Sequence, residues 1–196
     1  MNIGIDFDGV LFDTESMYRA LSQIHNLKIK GNMIEPEKIR FQERFDWSIQ
    51  QNQHFINSVI IDVQKVGLVM PLAKQIIKAL SKNHNVYAIT GRGVTLPEEI
   101  EVTEQRLKEE NIEFKKVVYS ASDKLGYCKD LKIDLMIDDL YSTVINLANN
   151  GVKCLYYRDN INDSYNHPNI TTVRDWGDIA VELVNMGLIS VEDIEI

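Results

Sequence analysis

Four short segments of the chain carry side chains that could do chemistry together. They are Asp6-Phe7-Asp8-Gly9, Thr90-Gly91-Arg92, Lys124 and Asp138-Asp139. Aspartate carboxylates gather Mg²⁺, and one carboxylate can attack phosphorus while another moves a proton to or from an oxygen. A hydroxyl, backbone amides freed by a glycine and an ammonium group can neutralise the charge of phosphoryl oxygens. The inventory therefore predicts a phosphoryl-transfer site with Mg²⁺ as its cofactor.

Each of these segments lies at, or in the loop after, the end of a run with the pattern of a buried strand. Such runs are nearly continuous in apolar residues, which is typical of strands buried on both faces of a parallel sheet. They cover residues 3–5, 86–89, 117–119, 135–137 and 152–156. Segments with helical periodicity separate them. This alternation predicts a doubly wound parallel α/β sheet, in which ligands bind at the carboxyl ends of the strands.

Three of the separating helices have clear signals. Residues 73, 76, 77 and 80 place apolar side chains on one helix face. Thr95 and Glu98 have the spacing of a capping box, with Pro97 in the first turn, so a second helix should begin there. Residues 141–149 predict a third, which Asn150-Gly151 would end.

The stretch between Asp13 and Pro71 interrupts the alternation. It contains no strand-like run bounded by turns, but it has helical patterns over residues 15–25, 37–45 and 49–66. We therefore predict two domains, an α/β catalytic core of residues 1–14 and 70–196 and a helical cap of residues 15–69. The cap is placed where it could fold over the carboxyl end of the first strand.

The cap is rich in aromatic residues, which allow two interpretations. Phe41, Phe45, Trp47 and Phe55 could form the small core of the cap, and the spacing of the first two fits a helix face. Alternatively, one or two of them could face the cleft and stack on a nucleobase. We favour the first interpretation for any given residue.

Composition narrows the class of protein. A chain of 196 residues with a net charge of −8 is not expected to bind a nucleic-acid polymer or an anionic membrane. Its two cysteines have the spacing of neither a zinc site nor a disulfide framework. We find neither a signal segment nor an apolar stretch of membrane-spanning length, so we expect a cytoplasmic protein. The sequence does not decide between a monomer and a homodimer.

The four chemical segments resemble the motifs of a known superfamily. Asp6-Phe7-Asp8-Gly9-Val10 resembles the first motif of the haloacid dehalogenase superfamily, and the segments at Thr90, Lys124 and Asp138-Asp139 resemble its second, third and fourth, in the family's order. The resemblance covers nearly the whole chain and implies a Rossmann-like core. The chain has an aspartate two positions after the first, and in this it is similar to the phosphatase members rather than to the dehalogenases.

The resemblance implies a role for each residue. Asp6 would be the nucleophile, Asp8 the general acid and base, and Thr90, Gly91 and Lys124 would bind the phosphate, Lys124 also steadying the nucleophile. The implied Mg²⁺ ligands, direct or supporting, are Asp6, the backbone carbonyl of Asp8, Asp138 and Asp139.

Taken singly, several of these residues have plainer explanations. Thr90 could merely cap a strand end, Lys124 could be a solvated lysine that begins a helix, and Asp139 could cap the helix beginning near residue 141. Arg92 could bind the phosphate or sugar of a substrate, or it could pair with an acidic residue of the cap.

Within the superfamily, the chain is most similar to the 5'(3')-deoxyribonucleotidases. Those enzymes are of similar length and have a small helical cap after the first motif, and Tyr165-Asn166 and Val173-Arg174-Asp175-Trp176 also resemble their endings. Many of them have a serine directly after the threonine of the second motif, whereas this chain has Gly91-Arg92 after Thr90. The resemblance implies a phosphomonoesterase that forms an aspartyl-phosphate and acts on a small phosphate ester, namely a nucleoside or deoxyribonucleoside monophosphate.

Two alternatives remain. A phosphatase of sugar phosphates or other small metabolites would share the same core. A non-enzymatic phospho-acceptor or binding module would combine similar residues on an α/β sheet. In receiver-type domains, however, the acidic pair comes early in the chain and no cap is inserted, which counts against this second alternative.

Overall fold

The core of the molecule is a six-stranded sheet in which every neighbouring pair is parallel. The structure is a computed structural model that describes residues 1–38, 40–157 and 166–195. The strands are β1 Asn2–Ile5, β2 Phe12–Asp13, β3 Leu68–Val69, β4 Asn85–Ile89, β5 Lys116–Val118, β6 Leu135–Asp138, β7 Lys153–Tyr157 and β8 Ile170–Val173. The helices are α1 Glu15–Ile29, α2 Ile49–Val66, α3 Ala73–Ser81, α4 Glu98–Glu110, α5 Lys124–Asp130, α6 Tyr141–Asn149 and α7 Trp176–Asn185.

The strand order is β5-β4-β1-β6-β7-β8, so β1 lies between two strands that come much later in the chain. The strand order reverses at β1. The loops that follow β1 and its neighbouring strands therefore lead away toward opposite faces of the sheet. This is the position at which open α/β sheets bind ligands. The predicted doubly wound parallel sheet is confirmed.

Apolar layers fill both faces of the sheet. One layer joins Ile3 and Ile5 of β1 to the buried faces of α3 and α7, and the other joins Met136 of β6 to α5 and α6. The predicted stripe on α3 is fully buried, as expected. Gly4 faces the second layer, where an added Cβ would lie 2.6 Å from the sulfur of Met136. Strand β1 therefore has no room for a side chain at this position.

The helical cap differs from prediction in detail. Helix α1 continues to Ile29, four residues beyond the predicted end. The helix predicted over residues 37–45 is wrong, because among the described residues of that stretch only a 3-10 turn over Phe41–Glu43 forms. The backbone is used differently: the carbonyl of Arg44 accepts hydrogen bonds from the amides of Ile34 and Glu35, which holds the segment as a loop.

A short antiparallel pair closes the base of the cap. It joins β2 to β3, with Phe12 opposite Val69 and Asp13 opposite Leu68, in a region where no strand was predicted. Cap helix α2 packs against α4 of the core, and the buried side chain of Gln64 donates a hydrogen bond of 2.6 Å to Glu99 across that contact. The division into core and cap domains stays a prediction.

The cap aromatics form a packed core. Phe41, Phe45, Trp47 and Phe55 are each less than a tenth exposed, and the rings of Phe45 and Trp47 stack with centroids 4.7 Å apart. The indole nitrogen of Trp47 donates to Asn26 of α1 at 2.8 Å. The packing interpretation is therefore confirmed for these four residues.

Two further sequence features have local explanations. The capping box of Thr95 and Glu98 does not form; instead Glu99 accepts a hydrogen bond from the amide of Leu96 at 2.8 Å. Trp176 is buried, and its indole nitrogen donates to the carbonyl of Val10 at 2.9 Å, which ties α7 to the loop after β1. Tyr165 lies outside the described residues. Among those residues, no helix is both long and apolar enough to cross a bilayer.

Candidate active site

The carboxyl ends of three adjacent strands bring the predicted residues together. Asp6 directly follows β1, Thr90 directly follows β4, and Asp138 ends β6. The amide of Asp6 still donates to the carbonyl of Ile137 at 3.0 Å, so Asp6 keeps the register of the sheet as its side chain enters the site. Lys124 begins α5, which follows β5.

Three aspartates form a compact acidic cluster. One carboxylate oxygen each from Asp6, Asp138 and Asp139 lies within 4.8 Å of the other two. Asp6 is 8% exposed and Asp138 is fully buried. Because oxygen-only sites of this kind suit hard divalent cations, these three residues could hold one.

Gly9 makes room for this cluster. Its φ of +78° is in the left-handed region, and an added Cβ would lie 2.5 Å from a carboxylate oxygen of Asp139. Glycine is therefore required here both by the backbone and by the position of Asp139.

Lys124 bridges two members of the cluster. Its Nζ lies 2.8 Å from Asp6 and 2.7 Å from Asp138, and its side chain is 11% exposed. Burial alone would lower the pKa of Lys124, but the neighbouring charges of Asp6 and Asp138 outweigh it and raise the pKa. The lysine therefore stays charged in this site.

The acidic cluster has more negative charge than Lys124 can neutralise. Burial, opposed by Lys124 and reinforced by Asp138, raises the pKa of Asp6 to about 6. Burial also raises the pKa of Asp139 well above its usual value, with Arg40 of the cap lowering it and the charges of Asp138 and Asp6 raising it. A bound cation would relieve this repulsion, which fits the proposed use of the cluster as a metal site.

The predicted plainer role of Asp139 as a helix cap is not found. The residue that flanks α6 is Leu140, and no side chain caps that helix. It is the carboxylate of Asp138 that accepts a hydrogen bond, at 2.9 Å, from the amide of Leu140. That bond fixes one oxygen of Asp138 while Lys124 contacts the other.

Thr90 and Gly91 lie beside the acidic cluster. Thr90 is 1% exposed, and its hydroxyl oxygen accepts a hydrogen bond from the amide of Arg92 at 3.2 Å, which leaves the hydroxyl proton free to be donated elsewhere. Gly91 is exposed, with no heavy atom within 4 Å of the place where its Cβ would be. A substrate can therefore approach the backbone at Gly91 without steric hindrance.

Arg92 is placed differently from the prediction that it binds substrate or pairs with the cap. Its Nε and Nη2 donate to the two carboxylate oxygens of Asp8 at 2.9 and 2.8 Å, and its side chain is 1% exposed. The guanidinium therefore lies behind Asp8 and does not face the cleft. This placement corrects the assignment of Arg92 as a substrate-binding residue.

Asp8 is consequently in a different electrostatic state from Asp6. Burial would raise the pKa of Asp8, but the charge and hydrogen bonds of Arg92, with a further hydrogen bond from Thr14, lower it below its usual value. Its side chain is 36% exposed, so the carboxylate is open on one side while Arg92 holds it from the other.

Sequence analysis missed the residues that support Arg92. Thr103 of α4 accepts a hydrogen bond from Nη1 at 3.0 Å, and the rings of Phe12 and Phe7 lie 4.8 and 5.5 Å from the guanidinium carbon. One signal was available: residues 99, 103 and 107 form the buried face of α4, and two of the three are polar. Buried polar side chains need partners.

Comparison with known proteins supports the fold. No family model matches this chain, and no curated protein matches it in sequence. A haloacid dehalogenase family hydrolase from Deinococcus radiodurans, solved with phosphate and sodium, is 10% identical and superposes with a TM-score of 0.65 over 96% of this chain and 97% of its own. The chain has the haloacid dehalogenase fold.

Other solved structures agree with this assignment. A haloacid dehalogenase-like hydrolase from Streptococcus pneumoniae is 13% identical, with a TM-score of 0.67 over 92% of this chain and 97% of its own. A putative beta-phosphoglucomutase from Thermotoga maritima is 17% identical, with a TM-score of 0.59 over 94% of this chain and 98% of its own. At these identities the likeness concerns the fold alone.

Proposed function

We propose that the protein is a Mg²⁺-dependent phosphomonoesterase that works through an aspartyl-phosphate on Asp6. The observation that carries this proposal is the position of Asp6, which lies at the switch point of the sheet, 2.8 Å from Lys124 and within 4.8 Å of the acidic pair of Asp138 and Asp139. A carboxylate held against a lysine and a cation-binding cluster is suited to attack a phosphorus atom whose oxygens those charges neutralise.

The reaction would proceed in two steps. A carboxylate oxygen of Asp6 attacks phosphorus while the bond from phosphorus to the ester oxygen breaks, and Asp8 donates a proton to that oxygen. Water then attacks the phosphorus of the aspartyl-phosphate, Asp8 takes a proton from this water, and the carboxylate of Asp6 leaves. Since Arg92 lowers the pKa of Asp8, its resting form is the carboxylate, so Asp8 must first take a proton from the monoanionic phosphate ester or from solvent before it can donate one to the leaving oxygen.

The other site residues would bind the phosphate and the cation. Asp6, Asp138 and Asp139, with the backbone carbonyl of Asp8, would hold Mg²⁺, which would polarise a phosphoryl oxygen and offset the negative charge of the carboxylates. Lys124, the hydroxyl of Thr90 and the amide of Gly91 would contact the phosphate.

For the substrate we propose a nucleoside monophosphate, in particular a deoxyribonucleotide. The support is the first motif, the small helical cap and the sequence of residues 173–176. A sugar phosphate is the second candidate, because one solved structure of the same fold is described as a putative beta-phosphoglucomutase. The four buried cap aromatics give no support for base stacking, since they pack on each other.

The test is phosphate release from nucleoside monophosphates, their deoxy forms and sugar phosphates, with Mg²⁺ and with chelator. Asp6→Asn is the blank. Asp178→Asn is the matched control, because that carboxylate lies on the surface at the start of α7. We expect chelator-sensitive release that Asp6→Asn abolishes and the control retains. Release that survives Asp6→Asn would refute the mechanism, and preference for sugar phosphates would refute only the substrate.

A further inference from the structure

Arg92 is more completely enclosed than Lys124, the other cation of the site, with its side chain 1% exposed against 11%. Nε and Nη2 bind Asp8, Nη1 donates to Thr103, and the faces of the guanidinium lie against Phe12 and Phe7. Nothing in this arrangement presents the guanidinium to the cleft. A cation held at this depth by one carboxylate must act through that carboxylate.

The two-bond contact fixes more than the charge of Asp8. A guanidinium fork paired with both carboxylate oxygens sets the plane of the carboxylate, which a single-point ammonium contact does not do. Asp8 is at the same time open to solvent over about a third of its side chain, as the exposed fraction of 36% shows. One edge of the carboxylate is therefore held by Arg92, Thr14 donates a further hydrogen bond to it, and part of the side chain stays accessible.

Thr103 holds the fork in place. Its hydroxyl accepts from Arg92 at 3.0 Å and donates to the backbone carbonyl of Glu99 at 2.7 Å, so the hydroxyl orientation is determined within α4. Thr103 itself is fully buried. The rotation of the guanidinium is thus set by a hydroxyl whose own orientation is fixed by the backbone of α4.

We propose that Arg92 is a positioning residue, which holds Asp8 in the orientation needed to exchange a proton with the leaving oxygen and with water, and does not contact substrate. The inference rests on the proposed function and assigns Arg92 a role in the proton-transfer step only. Proton transfer requires hydrogen-bond geometry at the transferring atom, and small displacements of reacting groups are costly.

The test separates positioning from substrate binding by the basicity of the leaving group. Single-turnover rates are measured for an alkyl phosphate, whose leaving oxygen needs the proton, and for p-nitrophenyl phosphate, whose leaving oxygen does not. Asp8→Asn defines the pattern for loss of proton transfer. We expect Arg92→Met to slow the alkyl ester by about 10- to 100-fold and the aryl ester much less, with KM and inhibition by inorganic phosphate unchanged.

The double variant makes the test quantitative. If Arg92 acts through Asp8, adding Arg92→Met to Asp8→Asn should cause little further loss, because the group it positions is already disabled. Independent losses that multiply, or a raised KM with equal slowing of both esters, would overturn the proposal and indicate direct phosphate binding. Arg174→Met is the matched control, because Arg174 is exposed and lies just before the first turn of α7. It should change the rate of neither ester.

Folding is checked with two milder variants. Arg92→Lys keeps the charge but cannot form the fork, and Thr103→Val removes the support without touching Asp8. Each should slow the alkyl ester selectively, by about tenfold or less, in protein whose circular dichroism matches wild type. Wild-type rates in both would overturn the proposal even if Arg92→Met does not fold. An inactive wild type on every ester would instead count against the proposed function.

Discussion

Two buried cations lie at the candidate site, and they differ in what surrounds them. Lys124 lies among three carboxylates at the edge of the cleft, with its side chain 11% exposed. Arg92 faces one carboxylate and is enclosed by Thr103 and two aromatic rings. The Arg92 pair is balanced in charge and in hydrogen bonds. The Lys124 cluster has excess negative charge, which supports the proposal that it holds a divalent cation.

The pKa values follow this difference. The pKa of Asp6 is raised to about 6, mainly by burial and against the effect of Lys124. The pKa of Asp8 is lowered, because Arg92 more than offsets the burial of the carboxylate. Two carboxylates only two residues apart are therefore in different electrostatic states, which fits the proposed roles of Asp6 in attack and of Asp8 in proton exchange.

The largest effect is expected from removing the lysine. Lys124→Met leaves Asp6 and Asp138 without their shared partner and removes a charge that would neutralise the phosphoryl oxygens, so turnover should fall by about 10²- to 10³-fold. The measurement is kcat with saturating Mg²⁺.

Lys129→Met on the same helix is the matched control, since Lys129 is exposed. It should retain wild-type turnover. A Lys124→Met enzyme that also retained it would show that the lysine is structural, and the comparison between the two cations would lose its functional meaning.

The second effect concerns pH and the cation. With chelator, the folded pKa of Asp6 of about 6 exceeds the usual value of 3.8, so the folded protein binds this proton more tightly. The free energy of unfolding of the wild type should therefore fall by about 2–3 kcal/mol relative to that of Asp6→Asn as the pH rises from about 4 to 6. Urea unfolding of both proteins at several pH values measures this difference.

Adding Mg²⁺ should remove most of this pH dependence, because the cation favours the ionised carboxylate. Asp8 should show the opposite sign: with its pKa lowered, its contribution is present above the unfolded pKa and is lost as pH falls through the folded one. Equal pH dependence of wild type and Asp6→Asn would contradict the electrostatic contrast between the two carboxylates.

The smallest effect is expected at Gly9. Gly9→Ala forces an alanine into a φ of +78° and against Asp139, so it should destabilise the fold by about 1–3 kcal/mol and weaken cation binding. Thermal unfolding with and without Mg²⁺ reports both consequences. Gly151→Ala is the control, because its φ of +86° is similar but no atom lies within 4 Å of an added Cβ.

If Gly151→Ala reduced the stabilisation by Mg²⁺ as much as Gly9→Ala does, backbone strain alone would explain the result. The contact between Gly9 and Asp139 would then have no part in cation binding. A loss of that stabilisation confined to Gly9→Ala is the expected outcome.

The sheet could be predicted because its strands are short, nearly continuous apolar runs, and the α3 stripe could be predicted because one helix face is apolar. The prediction of a helix over residues 37–45 was wrong because it relied on the helical spacing of Phe41 and Phe45. Both side chains are buried, but the segment that carries them is a 3-10 turn and a loop. The pair of β2 and β3 has two residues in each strand, too few to form a pattern.

Part of the candidate site could also be predicted from the sequence, for a similar reason. Aspartates that end buried strands need compensation, so their positions indicate a site. The direction in which Arg92 points depends on a contact with a residue 84 positions earlier, and local sequence does not encode such a contact. Its partner Thr103 was detectable only as a polar residue on the buried face of α4.

The central claim is that Asp6 carries the phosphoryl group during turnover. The most direct measurement is rapid acid quench of the enzyme with a phosphate ester and Mg²⁺, followed by mass analysis of the peptide that contains Asp6 and Asp8. We expect one phosphoryl group on Asp6, labile to hydroxylamine, and absent from Asp6→Asn and from samples with chelator. Turnover with no labelled aspartate at any quench time, in wild type and in the slowed Asp8→Asn alike, would contradict the account.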